Sequence, residues 1–328
     1  MLVSRAPLRI SLAGGGSDLP SFYQQGFGQV FSFAIDKYVY IACHELFSGG
    51  IRLSYSKTEN VSKASQIEHP LIRESLSFLD FDESIEIGSF ADVPGSGTGL
   101  GSSSAFCVAL VNVIKNYMGT SVSSDFLAQS ACTIEIEKCR DPIGKQDQYA
   151  SAFGGINHFR FNQDHSVDIQ PVKDSNTANF LEQTLLLYYL GSGRNSSSIL
   201  VNQEKFMRSK KSAIDSVTYM RDLVPPMMQA VALQDSIEIS KILNDSWKYK
   251  KSLEKHISSP EIDAILETAM KAGALGGKVV GAGGGGFLLL VVEPTFRDQF
   301  VANFSILRQL TFSISSSGAA IVYSDENE

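Results

Sequence analysis

A loop rich in glycine and serine, residues 94–104, has the composition of a phosphate-binding site. Its glycines carry no Cβ, so several backbone N–H groups can converge on one anion. A helical pattern follows directly, and a helix N-terminus adds free N–H donors and partial positive charge. No Gly-Lys-Ser/Thr closes the loop, so it is not a Walker A motif. The alternative is a surface turn before an ordinary capped helix. The candidate phosphate-binding residues are Pro94, Gly95, Gly97, Gly99, Leu100, Gly101, Ser102, Ser103 and Ser104.

Two carboxylates further along the chain could do chemistry. Asp147 lies in a polar loop, residues 139–148, where an aspartate can act as a general base or bind a cation. The alternative for Asp147 is a helix cap. Glu135 falls on an inward stripe of small residues in a predicted helix, whereas Glu137 faces solvent. A buried carboxylate needs a partner, which is either a metal ion or a neighbouring Lys or Arg.

A second glycine-rich segment, residues 281–286, matches the pattern G-x-G-x-x-G of dinucleotide-binding folds. That motif requires a helix after the last glycine. Here the strand-like residues 287–292 follow instead. The sequence therefore disfavours an NAD-dependent enzyme and predicts a loop between two strands that packs against a ligand or another loop.

Composition sets the class of protein. The chain has 328 residues, which suits two domains of roughly 150 residues each, and it is 43% hydrophobic. Its net charge of −7 makes it a poor candidate for binding nucleic acid or an anionic membrane. The four cysteines lack zinc-site spacing, and no apolar run reaches the ~20 residues that span a bilayer. We expect a cytoplasmic protein without membrane or nucleic-acid partners, either a monomer or a homodimer.

The elements that must position these residues form two halves. In the first half we predict strands over residues 2–13, 29–47, 51–55 and 84–90, and helices over 103–118 and 125–139, the second capped by Asp125. In the second half we predict strands over 185–190, 278–280, 287–292 and 318–323, and helices over 196–221 and 226–243. A further helix begins at Ser258, with Glu261 at capping-box spacing. The result is an α+β protein with a boundary near residue 170.

The motifs together resemble the GHMP kinase superfamily, which includes galactokinase, homoserine kinase and mevalonate kinase. Three family motifs occur in order, at residues 5–18, 94–105 and 281–288, so the resemblance spans nearly the whole chain. It implies an N-terminal ATP-binding domain over residues 1–172, similar to ribosomal protein S5 domain 2. It also implies a ferredoxin-like C-terminal domain over residues 173–328, with the site in the cleft between them.

The resemblance also assigns roles. Asp147 matches the catalytic Asp of galactokinases, and Arg9 matches the basic residue beside it. Glu135 matches the Mg²⁺-binding Glu, and Ser103, or alternatively Ser102, would supply a hydroxyl ligand, so the expected cofactors are ATP and Mg²⁺. Asp18 matches an Asp that holds sugar hydroxyls. The expected substrate-binding residues are Gly15, Gly16, Ser17, Asp18, Lys145, Arg194, Gly283 and Gly284.

Departures from the family pattern narrow the substrate. Galactokinases carry Gly-Glu-His-Thr-Asp where this chain has three glycines, Ser and Asp at residues 14–18. The sequence of this motif is most similar to that of kinases of D-glycero-D-manno-heptose phosphates and to that of the kinase part of bifunctional fucokinases. It implies phosphorylation of the C1 hydroxyl of heptose 7-phosphate, for lipopolysaccharide or capsule synthesis. Arg194, and after it Lys145, would bind the 7-phosphate. The alternatives are a fucokinase- or galactokinase-like enzyme, or a non-catalytic sensor on the same fold.

Overall fold

The computed structural model describes residues 1–95, 97–191, 199, 201–202, 205–206 and 210–325. The strands are β1 (Leu2–Ala13), β2 (Phe27–Glu45), β3 (Ile51–Ser54), β4 (Thr58–Val61), β5 (Ile85–Ala91), β6 (Ile156–Asn162), β7 (Val167–Val172), β8 (Leu185–Gly191), β9 (Gly276–Val279), β10 (Gly286–Val291), β11 (Arg308–Leu310) and β12 (Ala320–Ser324). The helices are α1 (Pro20–Tyr23), α2 (Pro70–Phe78), α3 (Ser102–Tyr117), α4 (Ser124–Cys132), α5 (Gln146–Phe153), α6 (Ser175–Thr184), α7 (Lys211–Asp222), α8 (Val224–Ala232), α9 (Ser236–Lys251), α10 (Pro260–Ala272) and α11 (Arg297–Asn303).

The larger sheet is organised around the long strand β2. Among the described residues it has eight strands, in the order β12-β1-β2-β5-β3-β4, with β6 paired to β2 and β7 to β6. β2 pairs with β1 along most of its length, with β6 through Phe27–Phe33 and with β5 through Val39–Glu45. One long strand therefore joins two groups of neighbours in a single sheet.

Strand β1 is buried on both faces in its second half, from Ala6 to Ala13. It contacts α3 and α5 of the first half of the chain and α8 and α9 of the second half. Because the middle of α3 is buried all round, that helix belongs to the core and not to the surface. The residues that follow β1 thus lie where the two halves meet.

The smaller sheet has four strands among the described residues, in the order β11-β8-β10-β9, all antiparallel. After it, the chain returns to the first sheet, where β12 pairs with β1 from Leu2 opposite Ser324 to Arg5 opposite Ala320. The predicted division at residue 172 stays a prediction, with the qualification that β12 belongs to the first sheet. In the described part of the chain, no helix combines the length and the apolar composition that crossing a bilayer requires.

Several local predictions were wrong by small amounts. Residues 226–243 form parts of two helices, α8 and α9, because the chain breaks at Gln234, which has a positive φ, and Asp235 caps α9. Ser123, not Asp125, caps α4, and Ser259, not Ser258, caps α10. The predicted helix over 196–221 falls partly outside the described residues, and α7 begins at Lys211. Neighbouring Ser and Asp side chains are equally able caps, so sequence alone does not choose between them.

Candidate active site

A cavity of about 960 Å³ lies where the two halves of the chain meet. The first half contributes the end of β1, the loop before α3 and the first turn of α3. The second half contributes Lys250, Lys278 and the glycine loop after β9. A space of this size accommodates a nucleotide and a small second substrate.

Arg9 and Asp147 form an ion pair in the wall of this cavity. Nε of Arg9 donates to Oδ1 of Asp147 at 2.7 Å, and Nη2 of the same guanidinium lies 2.7 Å from that oxygen. The arginine side chain is 4% exposed and the aspartate 24%. In the part of the chain that the structure describes, Oδ2 of Asp147 takes part in no hydrogen bond. One carboxylate oxygen is therefore anchored while the other is left to accept a proton.

The first glycine loop is fixed to β1 through the same arginine. Nη1 of Arg9 donates to the Gly99 carbonyl at 2.6 Å, and its backbone N–H donates to the Leu100 carbonyl at 3.0 Å. Gly101 has a φ of +77°, and a Cβ there would lie 3.3 Å from the Asp147 carboxylate. Glycine at this position thus lets the loop and the ion pair lie side by side at the start of α3.

The second glycine loop packs backbone against backbone on the first. A Cβ on Gly281 would overlap the Cα of Gly99, and one on Gly286 would overlap the Thr98 carbonyl. Strand β10 follows this loop, so the expectation that it is not a dinucleotide fingerprint is confirmed. The prediction that it packs against another loop is also confirmed.

Glu135 lies behind the first turn of α3, with no solvent exposure. It stands in a π-helical turn, Thr133–Lys138, that extends α4, and such turns are frequent at functional sites. Ser103 Oγ donates to Oε1 at 2.9 Å and Gln148 Nε2 donates to Oε2 at 2.7 Å. Burial raises the pKa of Glu135 to about 7, against the opposing effect of these hydrogen bonds. No Lys or Arg in the described residues pairs with it.

The Ser103–Glu135 pair suits Mg²⁺, which prefers oxygen ligands and is commonly bound by one or two carboxylates together with substrate phosphates. Ser103 lines the cavity and brings the carboxylate within reach of its wall. Within the described ranges, no three His, Cys, Asp or Glu side chains are grouped as metal ligands. Ser102, the alternative ligand, instead bonds Thr98 Oγ1 at 3.0 Å.

Asp18 occupies the turn between β1 and α1 and is 3% exposed. Its Oδ1 accepts from the Gly16 N–H at 3.1 Å and its Oδ2 from the Gln146 N–H at 3.2 Å. Burial raises the pKa of Asp18 to about 6, and the negative charge of Asp147 contributes to the rise. The two predicted aspartates therefore lie near each other on one side of the cavity.

Some of the remaining predicted residues line the cavity and others do not. Those that line the cavity with Arg9, Asp18 and Asp147 are Gly15, Gly16, Gly95, Gly97, Gly99, Gly101, Ser102, Ser103, Ser104 and Gly283. Pro94, Leu100, Ser17, Gly284 and Lys145 are not in the lining.

The side chains of two of those five residues, Ser17 and Lys145, have other contacts. Ser17 Oγ donates to backbone carbonyls of Gly14 and Gln29, so its role is to hold the turn. Lys145 Nζ donates to the His165 carbonyl at 2.8 Å and lies over the Tyr23 ring, so its ammonium is engaged away from the cavity. Arg194 lies outside the described residues.

Sequence reasoning missed two groups of lining residues. One is an aromatic end of the cavity, formed by Tyr55, His69, Phe90 and Phe106. These residues come from separate elements, and only the fold brings them together. The other is the pair Lys250 and Lys278. A signal for Lys278 existed, because it is the charged residue inside β9, which is otherwise buried and uncharged.

Two models of one protein family match the chain. The family model for the GHMP kinases N terminal domain matches residues 47–155, and the model for the GHMP kinases C terminal matches residues 227–304. The chain is 29% identical over 305 residues to D-glycero-alpha-D-manno-heptose 7-phosphate kinase of Campylobacter jejuni, covering 89% of each chain. It is 24% identical to L-fucokinase/L-fucose-1-P guanylyltransferase of Bacteroides fragilis, covering 88% of this chain and 34% of that one.

Solved structures extend the likeness to the fold. A D-glycero-D-manno-heptose 1-phosphate kinase from Bacteroides thetaiotaomicron superposes with a TM-score of 0.80 at 27% identity, covering 99% of this chain and all of the other. Lactococcus lactis galactokinase with galactose gives a TM-score of 0.75 at 17% identity, covering 97% of this chain and 94% of that one, which is a likeness of fold alone.

Proposed function

This chain belongs to the GHMP kinase family and is a sugar kinase, and we propose that it phosphorylates the C1 hydroxyl of D-glycero-D-manno-heptose 7-phosphate. The phosphoryl group comes from the γ-position of ATP, and the products are the 1,7-bisphosphate and ADP. The observation that carries the proposal is the Arg9–Asp147 pair, which faces a cavity bounded by the phosphate-binding loop and by Asp18. The similarity to a heptose 7-phosphate kinase supports the choice of sugar.

ATP would bind with its phosphates against the first glycine loop and the N-terminus of α3, where backbone N–H groups and Ser103 and Ser104 face the cavity. The aromatic end formed by Tyr55, His69, Phe90 and Phe106 would take the adenine ring. Phe90 supports this placement, because it is 67% exposed although it lines the cavity. Bound adenine would cover it.

Ser103 and Glu135 would hold Mg²⁺ at the phosphates. When bound, the ion neutralises charge on the phosphoryl oxygens. The protein's part is to keep the Glu135 carboxylate oriented, through the hydrogen bonds from Ser103 and Gln148.

Asp147 would accept the proton of the sugar's C1 hydroxyl as that oxygen attacks the γ-phosphorus. The free Oδ2 is the accepting atom, because Oδ1 is occupied by Arg9. Arg9 would then offset negative charge that develops at the transferred group. Asp18 would accept hydrogen bonds from other sugar hydroxyls and so orient C1 toward Asp147.

An assay of ADP release over several acceptors tests the proposal. We expect kcat/KM for D-glycero-D-manno-heptose 7-phosphate to exceed those for heptose 1-phosphate, fucose and galactose by at least about 100-fold. NMR of the product should show the new phosphate on C1. A preference for fucose would replace the proposal with a fucokinase, and no turnover of any sugar despite ATP binding would favour a sensor.

A further inference from the structure

Two lysines of the second half reach the cavity and have no role in the mechanism above. Lys278 stands in β9, is 7% exposed, and its Nζ donates to the Leu12 carbonyl at 2.7 Å. Lys250 stands in the last turn of α9, and its Nζ donates to the Gly281 carbonyl. Both line the same cavity as the first glycine loop.

Neither ammonium has a negative partner. Across the described residues, Arg9 forms an ion pair with Asp147, whereas neither Lys250 nor Lys278 forms one. Each lysine uses one of its three N–H donors on a neutral carbonyl, which leaves two donors available. A buried cation without a counter-charge is unfavourable. The two ammonium groups could therefore bind an anion.

The lowered pKa values of the two lysines agree with an anion site. Burial lowers the pKa of Lys250 to about 8, and the positive charge of Arg9 lowers it further in the same direction. Burial also lowers the pKa of Lys278 well below its usual range, together with the charges of Lys250 and Arg9. Three cations thus repel one another around one cavity, and a bound anion would relieve that repulsion.

We propose that Lys250 and Lys278 form the binding site for the phosphate group that the sugar substrate already carries. This inference rests on the proposed function in that the substrate is a sugar phosphate. The nucleotide phosphates have their own proposed site, at the first glycine loop and the N-terminus of α3. Lys278 is tied to Leu12, just before the turn that carries Asp18, which places it at the sugar side of the cavity. Two charge-assisted hydrogen bonds from lysines suit a phosphate monoester.

The kinetic test compares heptose 7-phosphate with unphosphorylated heptose in Lys278→Met, Lys250→Met and Lys250→Arg. We expect each Met variant to raise KM for heptose 7-phosphate roughly 10- to 100-fold, the worth of one hydrogen bond to a charged group. The KM for free heptose and for ATP should change less than about threefold, and Lys250→Arg should recover part of the loss. The matched control is Lys241→Met, an exposed lysine on α9 that pairs with Glu238.

An equal rise in KM for both sugars would overturn the proposal. A rise in KM confined to ATP would also overturn it, because it would assign the lysines to the γ-phosphate.

Calorimetry with inorganic phosphate and with heptose 7-phosphate, without nucleotide, gives a readout independent of turnover. Wild type should bind both, and the Met variants should bind neither at the same concentrations. If wild type binds phosphate but phosphorylates no heptose phosphate, the proposed function fails and the anion site stands. If the variants still phosphorylate heptose 7-phosphate with unchanged selectivity over free heptose, the proposed function stands and the anion site fails.

A thermal melt separates binding from folding. Removing a buried unpaired charge should leave the melting temperature of Lys278→Met unchanged or higher. A lower melting temperature with parallel losses on both sugars would mean that Lys278 only bridges the two halves, which contradicts the proposal. If Lys278→Met does not fold, the Lys250→Met and Lys250→Arg comparison decides alone.

Discussion

Arg9 and Asp147, 138 positions apart in the chain, meet through a single oxygen: Nε of the guanidinium donates to Oδ1 at 2.7 Å, and Nη2 lies 2.7 Å from the same oxygen. This asymmetry orients the carboxylate so that Oδ2 is the atom without a partner among the described residues. The same guanidinium also holds the Gly99 carbonyl at 2.6 Å. One arginine therefore sets the position of Asp147, the proposed base, relative to the first glycine loop.

Asp147→Asn should reduce kcat about 10²- to 10⁴-fold, because an amide oxygen cannot accept the proton of the sugar hydroxyl. The dissociation constant of a non-hydrolysable ATP analogue should stay within threefold, since Asp147 does not contact the nucleotide in the proposed arrangement. Steady-state kinetics and calorimetry measure the two quantities. Asp245→Asn, an exposed carboxylate on α9, is the control. Near wild-type turnover in Asp147→Asn would show that another group is the base.

Glu135→Gln should raise the Mg²⁺ concentration for half-maximal activity at least about tenfold, because it keeps a side chain of the same size but loses the ligand charge. Glu137→Gln, two residues away and exposed, should behave as wild type. Titration of activity with Mg²⁺ at saturating ATP is the measurement. An unchanged Mg²⁺ dependence in Glu135→Gln would remove Glu135 from the metal site.

The KM for the sugar should rise as the pH falls through about 6, because protonated Asp18 no longer accepts two hydrogen bonds from hydroxyl groups as a carboxylate does. In Asp18→Asn the KM should be higher at pH 8 and should no longer change between pH 5 and 7. Initial rates at saturating ATP across this range provide the test. A pH dependence that survives in Asp18→Asn must come from another group.

The raised pKa of Asp18 also predicts how the free energy of unfolding changes with pH. Its pKa is about 6 in the folded protein against 3.8 for an ordinary Asp, so the folded state keeps the proton over that interval. The Asp18 contribution to the free energy of unfolding should therefore fall as the pH rises from about 4 to 6, by up to roughly 1.4 kcal/mol per pH unit. Urea melts of wild type and Asp18→Asn at several pH values should differ by this slope. Parallel pH profiles would contradict it.

Gly281→Ala should lower the free energy of unfolding by about 1–3 kcal/mol and raise the KM for ATP, since the new Cβ would overlap Gly99 and the residue has a φ of +68°. Gly26→Ala is the control, because a Cβ there meets nothing within 4 Å and its φ is not in the left-handed region. Chemical denaturation and ATP kinetics measure both effects. If the two alanine variants were equally stable, the close packing of the loops would not contribute to stability.

Local sequence predicted the parts of the site that are built locally. The glycine loop before α3 needs its glycines in sequence and its helix directly after them, so both features are visible without the fold. Asp147 and Glu135 were assigned by motif, and the structure places Asp147 in the lining and Glu135 directly behind Ser103. The strand after Gly286 likewise excluded the dinucleotide interpretation from sequence alone.

The parts that sequence did not predict depend on distant contacts. Lys250 carries no signal in the sequence, and Lys278 carries only its charge within an apolar strand; the packing of α9 against β1 and β9 is visible only in the fold. Ser17 was predicted to bind substrate, but its hydroxyl is satisfied by two backbone carbonyls inside the turn. Lys145 was predicted to bind phosphate, and the fold instead brings the His165 carbonyl to its ammonium. For the three lysines, the decisive partner is far away in the chain.

The pairing of β12 with β1 has a consequence for biosynthesis. β1 carries Arg9 and precedes every other described strand, yet one of its two neighbours is β12, the last strand described. Until β12 arrives, β1 is an edge strand with unpaired backbone groups, which is the kind of surface on which nascent chains aggregate. The sheet that holds Arg9 therefore cannot be completed until the second half of the chain has been made, and β12 must add to it after that.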